Sequence, residues 1–397
     1  TGFDAANHLR YIELLREQRA LPLPADGWST FHPPFYYVLV AALQEAVAPL
    51  SATWGIAATK LPSFAAGRAP VWLTCGLARA LAPGRPPLAA GAVLFAGCLP
   101  LNLYTAAYVS NEPLHAAAFG LATWLCARAL VRGSTRVGDA ALLGAALGLA
   151  LLTKVSALVV AGAASASLLA RTLLVERARP LRLAILAGAV AAPALALAGW
   201  WYLRNWLLYG APVVANWDLP GMLWWSQPGF RTWSYYLGFG ESLRLPVFSG
   251  FHSFGDALYS SFWGDGWAGG RATAARPPET WDWHWAALGF WLALPATGLL
   301  LAGVVRSVRL AFCDPGRRAA WSFVLLLEGG LGFAFLLLTI EVPYFGQAKA
   351  PYLLGLVAVL SVQFALGAEA ADAWLARRLG PGAARAGRAW LTATAVA

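Results

Sequence analysis

Charge is what this chain has least of. Only 12% of its 397 residues are Asp, Glu, Lys or Arg, about half the share of an ordinary soluble domain. With 59% hydrophobic residues and a mean hydropathy of +0.58, a water-soluble globule is excluded. Cysteine is scarce too: Cys75, Cys98 and Cys126 fall inside apolar runs and Cys313 in a short basic loop, with no CxxC and no ligand-spaced histidines. That leaves no basis for a disulfide framework or a structural zinc site. Spaced Gly/aromatic strand patterning, the mark of a membrane barrel, is missing as well, and no internal repeat is visible.

What is present is a series of apolar runs of roughly 20 residues, the length a bilayer-spanning helix needs. The fold class this predicts is an all-α polytopic membrane protein. The formal net charge of +10 would suggest nucleic acid in a soluble protein. Here the arginines sit in short loops between apolar segments, where they set topology, so no nucleic-acid partner is assigned. The chain opens at Thr1 without a methionine and stops at residues 391–397 inside a starting apolar run. The expectation is a chain cut at both ends, with at least one span before Thr1 and no signal peptide in view.

Four regions follow from the pattern. Residues 1–60 read as a first outer loop with juxtamembrane helices, 61–203 as an N-terminal transmembrane core of about six spans, 204–283 as a long Trp-rich outer loop, and 284–397 as three further spans and a truncated one. Spans are predicted at 61–81, 87–107 and 113–131, then a hairpin over 138–174 turning near Thr153-Lys154-Val155-Ser156, then 183–203, 284–305, 319–340 and 350–367. If arginine-bearing ends are cytoplasmic, 17 of the 29 basic residues lie at such ends. Asp4, His8, His32, Glu112, Lys154, Arg204 and Lys349 then share the opposite, non-cytoplasmic face, and the helix near 35–50 lies on the membrane rather than across it.

Asp4 and His8 stand at i, i+4 and share one helix face. Ionisable groups held at a bilayer are costly and mark functional sites; lysine and arginine suit a phosphate, carboxylates suit base work or a metal. Plain readings stand beside these. Asp4 and Glu112 are also what helix-start chemistry favours, and Lys154 is also a snorkelling lysine. Glu328 and Arg68 lie inside predicted spans; for Glu328 the reading is a structural pairing within the bundle. Trp217, Trp224, Trp225, Trp233, Trp263, Trp267, Trp281 and Trp283 read first as an interface belt, and second as rings for stacking on sugar or covering a prenyl chain. The turn Ser261–Trp267 is too short and irregular for a calcium loop.

In their order along the chain these motifs resemble the C-type (GT-C) glycosyltransferases that use polyprenyl-phosphate sugars, close to protein O-mannosyltransferases and lipid A aminoarabinose transferases. Asp4 with His8, then His32-Pro33-Pro34-Phe35-Tyr36-Tyr37, resembles that family's first outer loop, and Ser110-Asn111-Glu112-Pro113 its second acidic position. Leu152-Thr153-Lys154-Val155-Ser156 resembles the Thr-Lys hairpin turn, and Trp201-Tyr202-Leu203-Arg204-Asn205 a post-span arginine motif. Lys349-Ala350-Pro351-Tyr352 is similar to a late basic-aromatic motif, with Pro351 where Arg is usual.

The resemblance implies sugar transfer, with inversion, from a polyprenyl-phosphate donor to a protein, lipid or glycan acceptor outside a bacterial inner membrane. It assigns catalysis to Asp4 and Glu112, and substrate binding to His8, His32, Lys154, Arg204 and Lys349. The family often has a second acid directly after the first. Ala5 stands there, which weakens a divalent-cation site and leaves no cofactor firmly implied. Two other classes stay open: a non-catalytic accessory subunit on the same scaffold, and a transporter of lipid-linked glycan.

Overall fold

The computed structural model describes residue 2 and residues 4–219, 232–246, 249–266 and 283–380, with 382, 386 and 387 beyond. Among the described residues all regular structure is helical. The expectations for Trp224, Trp225, Trp267 and Trp281, for the basic end at Arg385 and Arg388, and for a span starting at 391–397 lie outside these residues.

The chain begins with two amphipathic helices, α1 (Ala5–Gln18) and α2 (Phe35–Val47). They bury a small aromatic core of Tyr11, Ile12, Tyr36, Tyr37 and Val40, with the Tyr11 and Tyr37 rings stacked 3.8 Å apart. The Phe35 N–H donates to Leu152 O (3.1 Å), so α2 starts against the distant hairpin turn.

Next come α3 (Ala52–Ala66) and α4 (Ala69–Leu81). A single span over 61–81 was the sequence expectation; the structure instead breaks the helix at Gly67-Arg68 and starts α3 well before residue 61. Pro70 opens α4, a position where its missing N–H costs nothing. At Gly67 a Cβ would fall 2.4 Å from the Ala106 Cβ, so the break lets two backbones approach. Arg68 lies over the Phe64 ring at 4.4 Å, its partner on α3. The segment predicted at 87–107 is likewise two helices, α5 (Pro86–Cys98) and α6 (Pro100–Ala106), bent by 48° where Pro100 interrupts the ladder.

Among the described residues six helical stretches are long and apolar enough to cross a membrane, or seven if the bent pair α5–α6 is one span. The first is α7 (Glu112–Val131), with an acid in its first turn and Arg128 in its last, both matched to the helix dipole. A hairpin follows, α8 (Val137–Leu151) and α9 (Ala157–Ala170, continued by a π turn to Val175), turning at 152–156. Then α10 (Pro180–Ala194) runs through a π turn at Leu195–Gly199, just after Pro193, into α11 (Trp200–Tyr209). The region between α11 and the next span contributes α12 (Trp233–Leu237) and α13 (Phe254–Trp263). The last spans are α14 (Trp283–Cys313), α15 (Arg318–Glu341) and α16 (Val357–Leu379), the last led in by a 3₁₀ turn at Ala350–Leu356.

The main core gathers side chains of α4, α5, α7, α8, α9, α15 and α16, with Phe119, Trp321 and Phe323 fully enclosed. Where helices touch most closely there is no side chain at all. A Cβ on Gly144 of α8 would meet Val190 O of α10 at 2.2 Å, and one on Gly303 of α14 would meet Gln363 O of α16 at 1.7 Å. Within the bundle Glu328 accepts from Gln363 Nε2 (2.8 Å), a pairing between α15 and α16. All four cysteines are unpaired.

The two ends of the bundle differ in chemistry. One end carries arginine pairs: Arg128 and Arg132 with Asp139, Arg171 and Arg182 with Glu176, Arg85 and Arg306 with Glu369. At the other end stand α1, α2, the start of α7, the α8–α9 turn and residues 342–352; here Asp4 and Glu112 pair with lysines, while Arg16 and Arg19 tie α1 to Glu45 of α2.

Candidate functional site

Asp4 is the residue before α1, yet its side chain makes no capping bond to that helix. Its Oδ2 accepts instead from Lys349 Nζ at 3.3 Å, a partner 345 residues away. Glu112 opens α7 and pairs with Lys154 of the hairpin turn. Tyr352, in the 3₁₀ turn before α16, joins the two pairs: its ring lies 4.7 Å from Lys154 Nζ and 5.4 Å from Lys349 Nζ, while its hydroxyl donates to Gln347 Oε1 (2.7 Å). Four segments far apart in sequence therefore bring four charges, Asp4, Lys349, Lys154 and Glu112, together around one aromatic ring.

Local structure fixes each position. Asn111 Nδ2 donates to Thr153 O (3.1 Å), and Thr153 Oγ1 donates back to Leu149 O, so the start of α7 and the hairpin turn are clamped where Glu112 and Lys154 meet. His115, one turn along α7 from Glu112, bonds Ser156 Oγ through Nε2 (3.0 Å). The Ala350 N–H donates to Ser261 Oγ of α13 (2.8 Å), anchoring Lys349 and Tyr352 from the other side.

Exposure differs between the two acids. The Lys154 side chain is 7% exposed and Glu112 16%, whereas Asp4 is 33% exposed, so Asp4 is the acid that solvent or an incoming molecule reaches most readily. Burial pushes its carboxyl up, but the Lys349 ammonium, His8 and Lys154 together outweigh that and hold it below its ordinary value. Burial acts against the charge of Lys349, yet Asp4, Tyr352 and Glu112 keep its ammonium above the ordinary lysine range. Both groups are therefore charged at neutral pH.

His8 bonds Tyr37 Oη through Nδ1 (2.8 Å). Burial pushes it down to about 4, against the pull of Asp4. His32 sits behind it, ring centroids 6.1 Å apart, and is driven well below its usual value by burial and by His8 and Lys154. Its Nδ1 is buried without a partner. Both histidines are thus neutral, His8 beside Asp4 and His32 one layer back.

Arg204 is placed differently from the others. Its Nη2 donates to Leu21 O (3.2 Å) and Pro22 O (3.1 Å) and its guanidinium lies over Trp201 at 5.2 Å, so it holds the α1–α2 loop to α11. Sequence reading passed over His115 and the ring face of Tyr352, and took Asp265 only as part of an irregular turn; its carboxylate accepts from the Tyr108 hydroxyl. The i, i+3 spacing of Glu112 and His115 was the one signal that could have found any of them. Of the described tryptophans, Trp263 packs on Phe95 and Phe262, Trp217 stands 6.0 Å from Phe31, and Trp233 is exposed.

Among solved structures this chain is similar to the oligosaccharyltransferase of Archaeoglobus fulgidus, crystallised in complex with Zn and sulfate: TM-score 0.58, 16% identity, 100% of this chain and 48% of that one. The chain has the C-type glycosyltransferase fold. It spans about half the length of that neighbour. It also matches ArnT from Cupriavidus metallidurans, bound to undecaprenyl phosphate (TM-score 0.43, 18% identity) and in the apo state (0.41, 17%), each over 95% of this chain and 75% of the other. No protein-family model and no curated protein matches the chain.

The zinc of the archaeal structure makes a divalent cation worth testing against these residues. Among the described residues no three His, Cys, Asp or Glu groups gather at one point. Asp4 and Glu112 each end on an ammonium, so a cation bound there would have to displace a lysine, and Ala5 adds no oxygen. The arrangement does not fit a divalent cation.

Proposed function

We propose that this protein is a membrane glycosyltransferase that moves a sugar from a polyprenyl-phosphate donor to a hydroxyl on a protein, lipid or glycan acceptor. The reaction takes place on the non-cytoplasmic face, in a bacterial inner membrane. The observation that carries the reading is the convergence of Asp4, Lys349, Lys154 and Glu112 around Tyr352. A partly buried carboxylate lies beside two ammonium groups, on a fold shared with an oligosaccharyltransferase.

In the reaction the acceptor oxygen attacks the anomeric carbon and the bond from that carbon to the phosphate oxygen breaks, inverting the centre. The hydroxyl proton passes to the Asp4 carboxylate, and the bonding pair leaves with the lipid phosphate. Lys154 and Lys349 stabilise the charge that develops there, which is worth most in a site with little water. Glu112 keeps Lys154 charged and aimed. Neutral His8 sits beside Asp4 without competing for the phosphate, and Arg204 fixes the loop that covers α1.

Asp4→Asn tests this directly. Transfer from a polyprenyl-phosphate sugar should fall by a factor on the order of 10²–10⁴, the usual contribution of a positioned base, with the membrane level of the protein unchanged. Full activity in that variant would overturn the mechanism and favour an accessory subunit.

A further inference from the structure

The arginine-bearing end contains a feature that the transfer reaction does not use. Between α4 and α5, on the turn Pro83-Gly84-Arg85-Pro86, lies a cavity of about 570 Å³. Gly84 adopts φ +73 there, a left-handed conformation that suits glycine and turns the chain sharply enough to set the two helices side by side. The cavity walls are apolar, with Cys75 on α4 and Ala89, Ala90 and Val93 on α5. From Arg85 to Val93 the wall extends about 12 Å along the helix axis, towards the middle of the bilayer.

The mouth of the cavity is basic. Arg85 and Arg306 share the single carboxylate of Glu369, which leaves one positive charge over. Arg79 adds a second: it is exposed and makes no ion pair or hydrogen bond among the described residues. An apolar trough with two guanidinium groups and an excess of positive charge at its membrane-surface end matches an amphiphile with an anionic head.

We propose that this cavity binds an anionic phospholipid of the arginine-side leaflet, its phosphate on Arg79 and Arg85 and one acyl chain lying against Ala89, Ala90 and Val93. The site is at the opposite end of the bundle from Asp4 and Lys349 and is independent of the transfer reaction. A guanidinium pair grips the phosphodiester by its planar N–H forks, and the trough separates a lipid from a free anion.

Native mass spectrometry of the purified protein with added phosphatidylglycerol or phosphatidylcholine tests the assignment. The wild type should retain phosphatidylglycerol about fivefold better than phosphatidylcholine for each arginine engaged. Arg79→Gln removes one charge from a side chain that holds nothing else, and should lower that preference about fivefold. Ala90→Trp fills the trough and should lower retention with both arginines intact. Arg136→Gln removes an exposed arginine from another loop at the same end and should change nothing. Equal retention of the two lipids by the wild type, or an effect of Arg136→Gln as large as that of Arg79→Gln, would overturn the proposal. So would inorganic phosphate alone binding as tightly as the lipid and unaffected by Ala90→Trp.

Discussion

A carboxylate at a helix start ordinarily spends an oxygen on the free N–H groups of its own first turn. Asp4 and Glu112 each turn to a lysine instead, and this separates them from the plain helix-start reading. Because Lys154 and Glu112 are both largely enclosed, Lys154→Met should cost roughly 3 kcal/mol by leaving a buried carboxylate unpaired. The double variant Glu112→Gln/Lys154→Met should recover most of that loss in an unfolding titration and still fail to transfer sugar. Recovery of both stability and activity would show the pair to be scaffolding. His8 gives a pH signature. It is held near 4 in the fold against about 6.5 in the unfolded chain, so between those values the unfolded chain binds the extra proton. Stability is full above about pH 6.5 and falls as pH drops towards 4, by on the order of 3 kcal/mol. Thermal unfolding in detergent across that range should show the slope, to which His32 adds in the same direction, and His8→Gln should reduce it without abolishing it.

Elements pack here through what they omit. Gly144 faces Val190 O and Gly303 faces Gln363 O, backbone against backbone, with no flexible side chain to move aside. Gly144→Ala should therefore cost about 1–3 kcal/mol through overpacking. Gly188→Ala, on α10 with nothing within 4 Å of its added Cβ, should gain about 0.5–1 kcal/mol from helix propensity. Unfolding of the two variants in a denaturing detergent titration checks the contrast, and equal effects would mean that α8 and α10 are not in close contact. The breaks in α3–α4 and α5–α6 belong to the same scale. Hydropathy registers apolar length, and both segments have it. Pro70 and Pro100 mark where the breaks fall, but a close approach such as Gly67 to Ala106 has no trace in local sequence.

Across the whole molecule, α7 places Glu112 at one end and Arg128 at the other, a separation of about 24 Å, and the arginine pairs on Asp139, Glu176 and Glu369 join elements at the second end. Native Cys313 is exposed at the end of α14, close in sequence to Arg317 and Arg318 at the arginine end, whereas Ala107, exposed just before Glu112, is at the lysine end. In intact cells an impermeant thiol reagent should label a single cysteine at Ala107→Cys and leave Cys313 untouched until the membrane is permeabilised. The reverse pattern would put the acid–lysine cluster on the cytoplasmic side and remove the basis for the donor assignment.

Composition and the spacing of charge were enough to read the helical membrane class, the hairpin at Thr153–Ser156 and the ends on which acids and basic residues gather, because apolar length and loop arginines act locally and leave a direct record. The same record singled out Asp4, Glu112, Lys154 and Lys349 as residues of one end. Only the tertiary structure decided that Asp4 meets Lys349 and Glu112 meets Lys154 beside the ring of Tyr352, that Arg204 serves a loop, and that Glu328 finds Gln363. Those pairings depend on where helices cross, and crossing geometry is set by side-chain volume and backbone approach between residues tens to hundreds of positions apart, to which no local pattern responds.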